Sequence, residues 1–454
     1  MDDFSQTIIA AAQARRAQSI ASLGRLIMAQ RGGESAVQQC FIDHLTEVGC
    51  QVESLYYAPA EVKMQHEFAT GEVAATEERC SLVARLRGDG SGRSLIFFGH
   101  PDGEPVKNLE RWQHDPYAAT ISEGRIYGWG VADDLAGIAI MAEAIHTIVA
   151  SGLRPRGDVL AASTPSKRHA RGVAAVLQHG HAGDGAIYLH PAESGFGMQE
   201  IKAICGGQLH LRITVAGQAP DTKEPGHTAF SHLAVSALDK AMVIKAALDD
   251  LNSSRAARVH HAGIERVVGR ATNILVAHIA CGDPLRFTRV PTSCTLGVSI
   301  SFPPGESMEG VQREIQGCLD ACSMQDSWLR DHPPGVEWLA GVTGAELPAD
   351  SALFVAVSSA VTQVTGLTPF VNAMHTSSDI RVPMVQKGIP TVGLGPLCGD
   401  LSQNGGHDEW VDVEDYLRAI AVAADSALRW CGAVRRDRNG TSAPKIQLQD
   451  SANT

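Results

Sequence analysis

Ser94-Leu-Ile-Phe-Phe-Gly-His-Pro-Asp102 is the stretch that decides the fold. Its run of large apolar residues predicts a buried strand that ends at Gly99, and His100 and Asp102 follow directly. In an open α/β sheet, ligands and metals bind at the carboxyl ends of the strands, so this position is suited to a binding or catalytic site. A histidine there can bind a metal, while an aspartate two residues further on can hold its other ring nitrogen.

The size and charge of the chain limit the classes of protein to which it can belong. At 454 residues it is too long for one compact core, which predicts two domains. The net charge of −12, without a cluster of lysine and arginine, argues against a nucleic-acid partner. No apolar run is long enough to span a bilayer, and the N-terminus lacks a signal-peptide pattern, so we expect a cytoplasmic protein. The ten cysteines are scattered and are expected to be reduced.

Alternating strand and helix patterns predict an α/β fold, with a mostly parallel sheet that helices cover on both faces. The apolar strands Asp158–Ser163 and Gly185–His190 repeat the pattern of the opening stretch. The sequence pattern changes near Lys202. Beyond this residue, predicted strands with one polar face alternate with long helices. This change predicts an inserted two-layer α+β domain.

The order of predicted strands and helices also indicates where the domains begin and end. We assign residues 1–201 and 324–434 to a catalytic domain and residues 202–323 to the inserted domain. Residues 435–454 are polar and rich in serine, asparagine and glutamine, so we expect a disordered tail.

Imidazoles and carboxylates follow several predicted strands and turns. Such a set, gathered from distant parts of a chain, is what a divalent metal ion needs. The members are His100 with Asp102, Asp133 after a glycine-rich turn, His190, and the stretch Gly405-Gly-His-Asp-Glu-Trp-Val411.

With these features the sequence resembles the M20 family of metallohydrolases, the group of acetylornithine deacetylase, succinyl-diaminopimelate desuccinylase, aminoacylase and carboxypeptidase G. The order of features is similar from about residue 20 to residue 430. Four local matches carry the resemblance: Gly99-His-Pro-Asp, Trp112 with Asp115-Pro, the turn Gly124-Arg-Ile-Tyr-Gly-Trp-Gly-Val-Ala-Asp133, and Gly395-Pro followed by His407 and Glu409.

The resemblance implies a role for each matched residue. His100 and His407 would be terminal ligands of a divalent metal such as zinc, manganese or cobalt, and Asp133 the carboxylate between two metals. Asp102 would orient His100, while His190 falls where many members have a glutamate or aspartate. The inserted domain would be a lid that forms a homodimer or higher homo-oligomer. His227 of the lid, or less favourably His232, would reach the partner's active site and stabilise an oxyanion.

The sequence also departs from the family. The adjacent glutamates that serve as general base and second-metal ligand are replaced by Pro165-Ser-Lys-Arg-His169, and residues 159–183 contain no carboxylate. A cation such as Lys167 near Asp133 would repel a second metal. The family's Asp-x-Arg strand is also lost, with Ser299 and Ser301 at the matching positions.

We therefore expect one well-held metal, bound by His100, Asp133 and His190 with an open position for water. His407 would be a fourth ligand or would bind substrate. Glu193 is the nearest spare carboxylate for proton transfer. Arg381 is the best candidate to anchor a substrate carboxylate, because a guanidinium binds a carboxylate through two bonds, and His375 and Arg289 are secondary candidates.

The leading hypothesis for function is a metal-dependent hydrolase that cleaves a C–N bond in a small, carboxylate-bearing molecule. Within it, two reactions stay open: hydrolysis of an amide or N-acyl group, and hydrolytic deamination of an activated aromatic amine, as in the nitroanthranilate aminohydrolase branch. The loss of the glutamates favours the second, because the ring itself accepts the developing charge. The alternative class is a non-catalytic family member that acts as a binding or assembly protein.

Overall fold

A computed structural model describes residues 3–103, 105–192, 194–373, 378–398 and 407–435 of the chain. The expected tail beyond residue 435 therefore lies outside the described residues. Within the described part, none of the helices combines the length and the apolar character that crossing a bilayer requires. The ten cysteines, all of them described, form no disulfides with one another, as expected for reduced thiols.

The first layer of the fold is a six-stranded sheet. Four neighbouring strands run parallel, and two further strands continue the sheet in antiparallel pairings. In spatial order the strands are Gln51–Tyr57, Arg79–Leu86, Val159–Ser163, Leu95–Gly99, Gly185–Leu189 and Thr391–Leu394.

Helices cover both faces of this sheet because successive side chains of a strand point to opposite faces. Leu95 and Phe97 belong to the larger apolar core, whereas Ile96 and Phe98 belong to the core on the other face. The larger core contains the helices Asp3–Ala14, Arg16–Ala29, Glu34–Glu47, Ala136–Ala150, Ala352–Thr365 and Val413–Cys431. The smaller core contains the helices Gly172–Gln178 and Arg381–Lys387. The predicted α/β architecture is thus confirmed.

A second sheet has five antiparallel strands and its own apolar core. Its order is Asn273–Cys281, Ser293–Phe302, Gly207–Ala216, Gly335–Val342 and Glu67–Ala69. The helices Ala237–Arg258 and Met308–Gln325 pack on it, which gives the predicted two-layer α+β unit. The short helices Ala262–Val268 and Ser327–Asp331 lie in the same part of the chain.

This second sheet extends beyond residues 202–323. The strand Gly335–Val342 pairs with Gly207–Ala216, and the strand Glu67–Ala69 comes from the N-terminal part of the chain. Sequence patterns missed both strands because their place in the sheet is set by pairing with distant residues. The expected border at residue 323 therefore separates strands that share one sheet.

Short strands complete the fold. They form one three-stranded sheet and three two-stranded pairs. The members are Thr120–Ser122, Arg125–Tyr127 and Trp410–Asp412; Leu153–Pro155 with Ala433–Arg435; Glu200–Ile201 with Phe370–Val371; and Ile204–Cys205 with Ala345–Glu346.

Candidate active site

Two histidines meet because they follow neighbouring parallel strands. The strand before His100 pairs with the strand before His190, and Phe98 lies opposite Tyr188 in the register. The two imidazole rings consequently lie with their centroids 5.7 Å apart, and both are buried. The carboxyl edge of the sheet thus holds the imidazole pair that the sequence predicts.

Asp133 is brought to the same place by a turn and a helix. The turn passes through Gly130, which adopts φ +74°, a conformation that glycine tolerates without a Cβ clash. The helix Ala136–Ala150 then approaches the end of the His190 strand very closely. A Cβ atom at Gly137 would lie 1.9 Å from the carbonyl oxygen of Leu189, so only glycine permits this approach.

The three side chains form a tight cluster of ligand atoms. Oδ1 of Asp133 lies 2.9 Å from Nε2 of His100 and 3.2 Å from Nε2 of His190. One ligand atom from each residue lies within 4.8 Å of the other two, and all three residues are buried. Two imidazoles and one carboxylate are a common set for a divalent transition metal.

The other nitrogen of each ring is held by a backbone carbonyl. Nδ1 of His100 lies 2.8 Å from the carbonyl oxygen of Asp102, and Nδ1 of His190 lies 3.1 Å from that of Pro191. A carbonyl oxygen only accepts hydrogen bonds, so the hydrogen of each neutral ring is assigned to Nδ1. Nζ of Lys202 approaches Nδ1 of His190 at 3.4 Å but lies closer, at 2.7 Å, to the Pro191 carbonyl oxygen.

This assignment indicates that a cation belongs at the centre of the cluster. With hydrogen on Nδ1, each Nε2 presents a lone pair towards Oδ1 of Asp133, which is also an acceptor. Acceptors that face one another at 2.9 Å need a proton or a metal ion between them. The donor set therefore fits one divalent metal ion held by His100, Asp133 and His190.

The pKa values of His100 and Asp133 are shifted in the directions expected for a cluster that attracts a cation. Burial opposes charge on His100, but Asp133 and Asp102 outweigh it and hold the pKa of the imidazole well above its usual value. Burial likewise opposes charge on Asp133, but His100, His190 and Lys167 hold the pKa of its carboxyl well below the usual value. An ionised carboxylate is thereby kept in a buried place.

Asp102 connects His100 to the segment that follows the neighbouring strand. One oxygen of Asp102 accepts the backbone N–H of Ser166 at 2.9 Å, and the other accepts the backbone N–H of Lys167 at 2.9 Å and Nη2 of Arg79 at 3.0 Å. Its Oδ1 lies 3.4 Å from Nδ1 of His100. Asp102 thus lies against the histidine and also fixes the backbone that carries Lys167.

Comparison with known proteins now identifies the group to which this site belongs. Residues 96–429 match the model of the peptidase family M20/M25/M40. The chain belongs to this family.

Two curated relatives illustrate which enzymes this M20 chain is similar to. It is 26% identical over 374 residues to the N-formyl-4-amino-5-aminomethyl-2-methylpyrimidine deformylase of Halalkalibacterium halodurans, covering 77% of this chain and 83% of the relative. It is 26% identical over 382 residues to the succinyl-diaminopimelate desuccinylase of Leptothrix cholodnii, covering 83% and 89%. The M20 chain is accordingly a metal-dependent hydrolase of C–N bonds, and the non-catalytic alternative is not supported.

Solved structures share the fold. A di-peptidase from Saccharomyces cerevisiae superposes with a TM-score of 0.68 at 13% identity, covering 95% of this chain and 99% of that chain. A Bacillus subtilis protein described as a dinuclear metal binding peptidase from the M20 family has a TM-score of 0.58 at 14% identity, covering 90% and 98%. These likenesses concern the fold alone.

Lys167 sets this M20 site apart from the family pattern of two adjacent glutamates. Its Nζ contacts Oδ2 of Asp133, the oxygen that faces away from the histidines. The segment after the strand Val159–Ser163, where the family usually has its two glutamates, here supplies this ammonium and no carboxylate. The ammonium of Lys167 lies at the Asp133 oxygen that a second cation would need, and its positive charge would repel that cation. Among the described residues, the ligand cluster at Asp133 consists of His100, Asp133 and His190.

Sequence reasoning missed two buried carboxyl groups that shape the site. Oδ2 of Asp134 accepts the backbone N–H of His100 at 3.0 Å. Glu409 accepts the backbone N–H groups of Gly130 at 2.6 Å and Ala132 at 3.3 Å, and so holds the turn before Asp133. Burial raises the pKa of Glu409 to about 8. A glutamate two residues after His407 in a matched motif was the available signal, but its backbone partners cannot be read from sequence.

The remaining predicted residues lie elsewhere or are not described. His407 is exposed and is not in the ligand cluster formed by the described residues. His227 is exposed in the lid, where it lines a separate shallow cleft with Glu224 and Thr288, and Arg289 and His232 are exposed as well. Glu193 and His375 lie outside the described residues. The roles predicted for all of them stay predictions.

Arg381 lies in the wall of the main cavity but is already paired. Its guanidinium donates to Asp379 and to Glu67, each at 3.0 Å. Burial opposes its charge, yet these carboxylates outweigh that effect and raise its pKa above the usual value. The cavity has a volume of about 520 Å³ and lies between the segment after Val159–Ser163 and the second sheet, with Lys167 in its wall. That size suits a small-molecule substrate.

Proposed function

We propose that this M20 hydrolase uses one divalent metal ion, zinc, manganese or cobalt, to hydrolyse a C–N bond in a small substrate that carries a carboxylate. The single metal is supported by the different partners of the two carboxylate oxygens of Asp133. Oδ1 faces both histidines, and Oδ2 contacts Lys167. A divalent ion at such a site supplies Lewis acidity, which activates water and polarises the substrate.

The residues of the chain then have separate tasks. His100, Asp133 and His190 hold the ion, and Asp102 keeps His100 oriented. Lys167 lines the cavity, so its ammonium also faces the substrate. A fixed positive charge at that place stabilises negative charge that develops on the substrate during attack by water.

The charge of the cavity supports an acidic substrate. Its wall contains four basic side chains, Lys167, Arg168, Arg171 and Arg381, against two acidic ones, Glu67 and Asp379. With histidine neutral, the wall carries a formal charge of +2, whereas the chain as a whole carries −12. An anionic substrate is therefore attracted to the cavity and not to the rest of the surface.

A second candidate reaction is hydrolytic deamination of an electron-poor aromatic amine. The absence of a carboxylate from residues 159–183 favours it, because amide hydrolysis needs a proton donor for the leaving amine. An activated ring accepts the developing charge itself and depends less on such a donor.

The two reactions are separated by their products. Metal-stripped protein is reloaded with zinc, manganese or cobalt and incubated with N-acyl amino acids and, separately, with aminobenzoates bearing electron-withdrawing groups. Release of free amino acid supports amide hydrolysis, and release of ammonia supports deamination. Asp133→Ala is the control for contaminating enzymes. If no panel reacts while the metal is bound, the proposed function is wrong.

We also propose that the lid forms a homodimer that brings His227 to the partner's active site. The edge strand Asn273–Cys281 exposes the apolar side chains of Leu275 and Ile279, which supports an interface there. Light scattering on the purified protein should give twice the chain mass, and Leu275→Asp should give the single-chain mass. A monomeric wild-type protein at micromolar concentration contradicts the dimer.

A further inference from the structure

The segment Ser166–Arg171 forms a fixed, positively charged wall of the main cavity. Three of its side-chain-bearing residues adopt left-handed backbone conformations: Arg168 at φ +55°, His169 at φ +52° and Arg171 at φ +58°. Such conformations are uncommon outside glycine and concentrate at functional sites. The segment is held at its start by Asp102 and at its end by Arg171, whose Nη1 donates to the carbonyl oxygens of Pro59 and Val62.

The two carboxylates in the cavity wall are already paired. Glu67 lies 3.0 Å from Nη2 of Arg381 and 3.6 Å from Nδ1 of His169. Asp379 lies 3.0 Å from Nη1 of Arg381 and accepts a hydrogen bond from Oγ of Ser166. Neither carboxylate is therefore available as the main partner of another guanidinium in the wall.

Two guanidinium groups remain without a carboxylate bonded to them. The exposed guanidinium of Arg168 makes no hydrogen bond or ion pair with any residue that the structure describes. That of Arg171 is bonded only to carbonyl oxygens, and its buried Nε has no hydrogen-bond partner among the described residues. Both side chains line the cavity.

The opposite wall comes from the second sheet and, apart from Glu67, carries no charged side chain. Gln208 and His210 lie on the strand Gly207–Ala216 and line the same cavity. Burial, together with the neighbouring His169, lowers the pKa of His210, which favours the neutral ring. An amide and a neutral imidazole can each donate a hydrogen bond to an acidic group without adding charge.

From this arrangement we propose that the cavity binds a substrate with two acidic groups, and that Arg168, together with Arg171, holds the acidic group farther from the metal ligands. This inference rests on the proposed hydrolytic function. Lys167 is paired with Asp133 and Arg381 with Glu67 and Asp379, so Arg168 and Arg171 are the basic side chains of the wall without a bonded carboxylate among the described residues. Arg168 rather than Arg381 is the anchor, since Arg381 is already bonded to two carboxylates.

The test compares matched acids that cannot be hydrolysed. Succinate and butyrate, and glutarate and pentanoate, are titrated calorimetrically into the full-length protein loaded with manganese. We expect each dicarboxylate to bind at least about tenfold more tightly than its monocarboxylate, because a second charge-assisted pair forms. Arg168→Gln should remove that preference and leave monocarboxylate binding unchanged, and Arg168→Lys should retain part of it.

Controls keep this outcome separate from the proposed function. Arg313→Gln removes an exposed arginine from the helix Met308–Gln325, away from the cavity wall, and should change nothing. Melting curves check that each variant folds, and metal content is measured on the same samples. If the metal is bound but the dicarboxylates bind no better than monocarboxylates, or if Arg168→Gln keeps the preference, the inference is wrong while the proposed function stands.

Discussion

Nζ of Lys167 contacts Oδ2 of Asp133, while Oδ1 of the same carboxylate faces the Nε2 atoms of His100 and His190. The carboxylate that the family places between two metals here lies between two histidines and a lysine. The positive charge that balances Oδ2 of Asp133 thus comes from a side chain of the protein, Lys167. This relationship explains how the site can lack the usual glutamates and still keep Asp133 ionised.

Asp102 should control how tightly the metal binds. In Asp102→Asn one acceptor oxygen is replaced by an amide NH2 group, which only donates, so one of the backbone N–H groups of Ser166 and Lys167 loses its acceptor. Loss of such an outer partner typically weakens metal affinity by about 10–100-fold. Competition with a chromophoric chelator measures this. Asp89→Asn, at an exposed turn, is the matched control. An unchanged metal affinity in Asp102→Asn argues against the orienting role.

Glu409 should be important for stability through the turn before Asp133. Glu409→Ala leaves the buried N–H groups of Gly130 and Ala132 without their acceptor, at a cost of about 2 kcal/mol or more in the free energy of unfolding. Glu409→Gln keeps one acceptor oxygen and should lose less. Urea unfolding of the metal-free proteins measures both. If Glu409→Ala is as stable as wild type, the turn does not depend on this side chain.

A buried ion pair away from the site predicts acid sensitivity. Burial opposes charge on Glu143, but His44, Arg15 and Ser19 outweigh it and lower the pKa of its carboxyl from 4.5 to about 2. Because the folded-state pKa is depressed, the stabilisation is complete above pH 4.5 and is lost as the pH falls towards 2. A shift of this size corresponds to about 3 kcal/mol.

Unfolding measured against pH tests this pair. Glu143→Gln should lower the free energy of unfolding at neutral pH and flatten its fall between pH 4.5 and 2. Glu414→Gln removes an exposed partner of Arg16 and should change the pH profile little. If the wild-type and Glu143→Gln profiles are parallel across this range, the pair does not carry the acid sensitivity.

The sequence was sufficient to place His100, Asp133 and His190 together. Apolar runs that end in histidine mark adjacent parallel strands, and the carboxyl ends of such strands meet at one edge of the sheet. Lys167 was considered near Asp133 because its segment stands where the family has its glutamates, and in the structure this segment follows the strand Val159–Ser163, which pairs with the strand before His100.

Other parts of the site depend on contacts that residue types do not reveal. Asp134 and Glu409 act on backbone N–H groups, and only the folded turn shows which ones. Arg381 is a plausible substrate anchor in sequence, but the distant Glu67 takes one side of its guanidinium. The strand Gly335–Val342 shows the same limit, because its pairing with a distant strand decides its domain.

Counting metal ions per chain tests the central claim most directly. Protein stripped with a chelator, reloaded with zinc or manganese and freed of excess ion should contain one tightly bound ion per chain by mass spectrometry. Lys167→Glu, which supplies a carboxylate beside Asp133, should take up a second ion, whereas Lys167→Met, which removes the charge without adding a ligand, should not. Two tightly bound ions per wild-type chain, or none, would contradict the account.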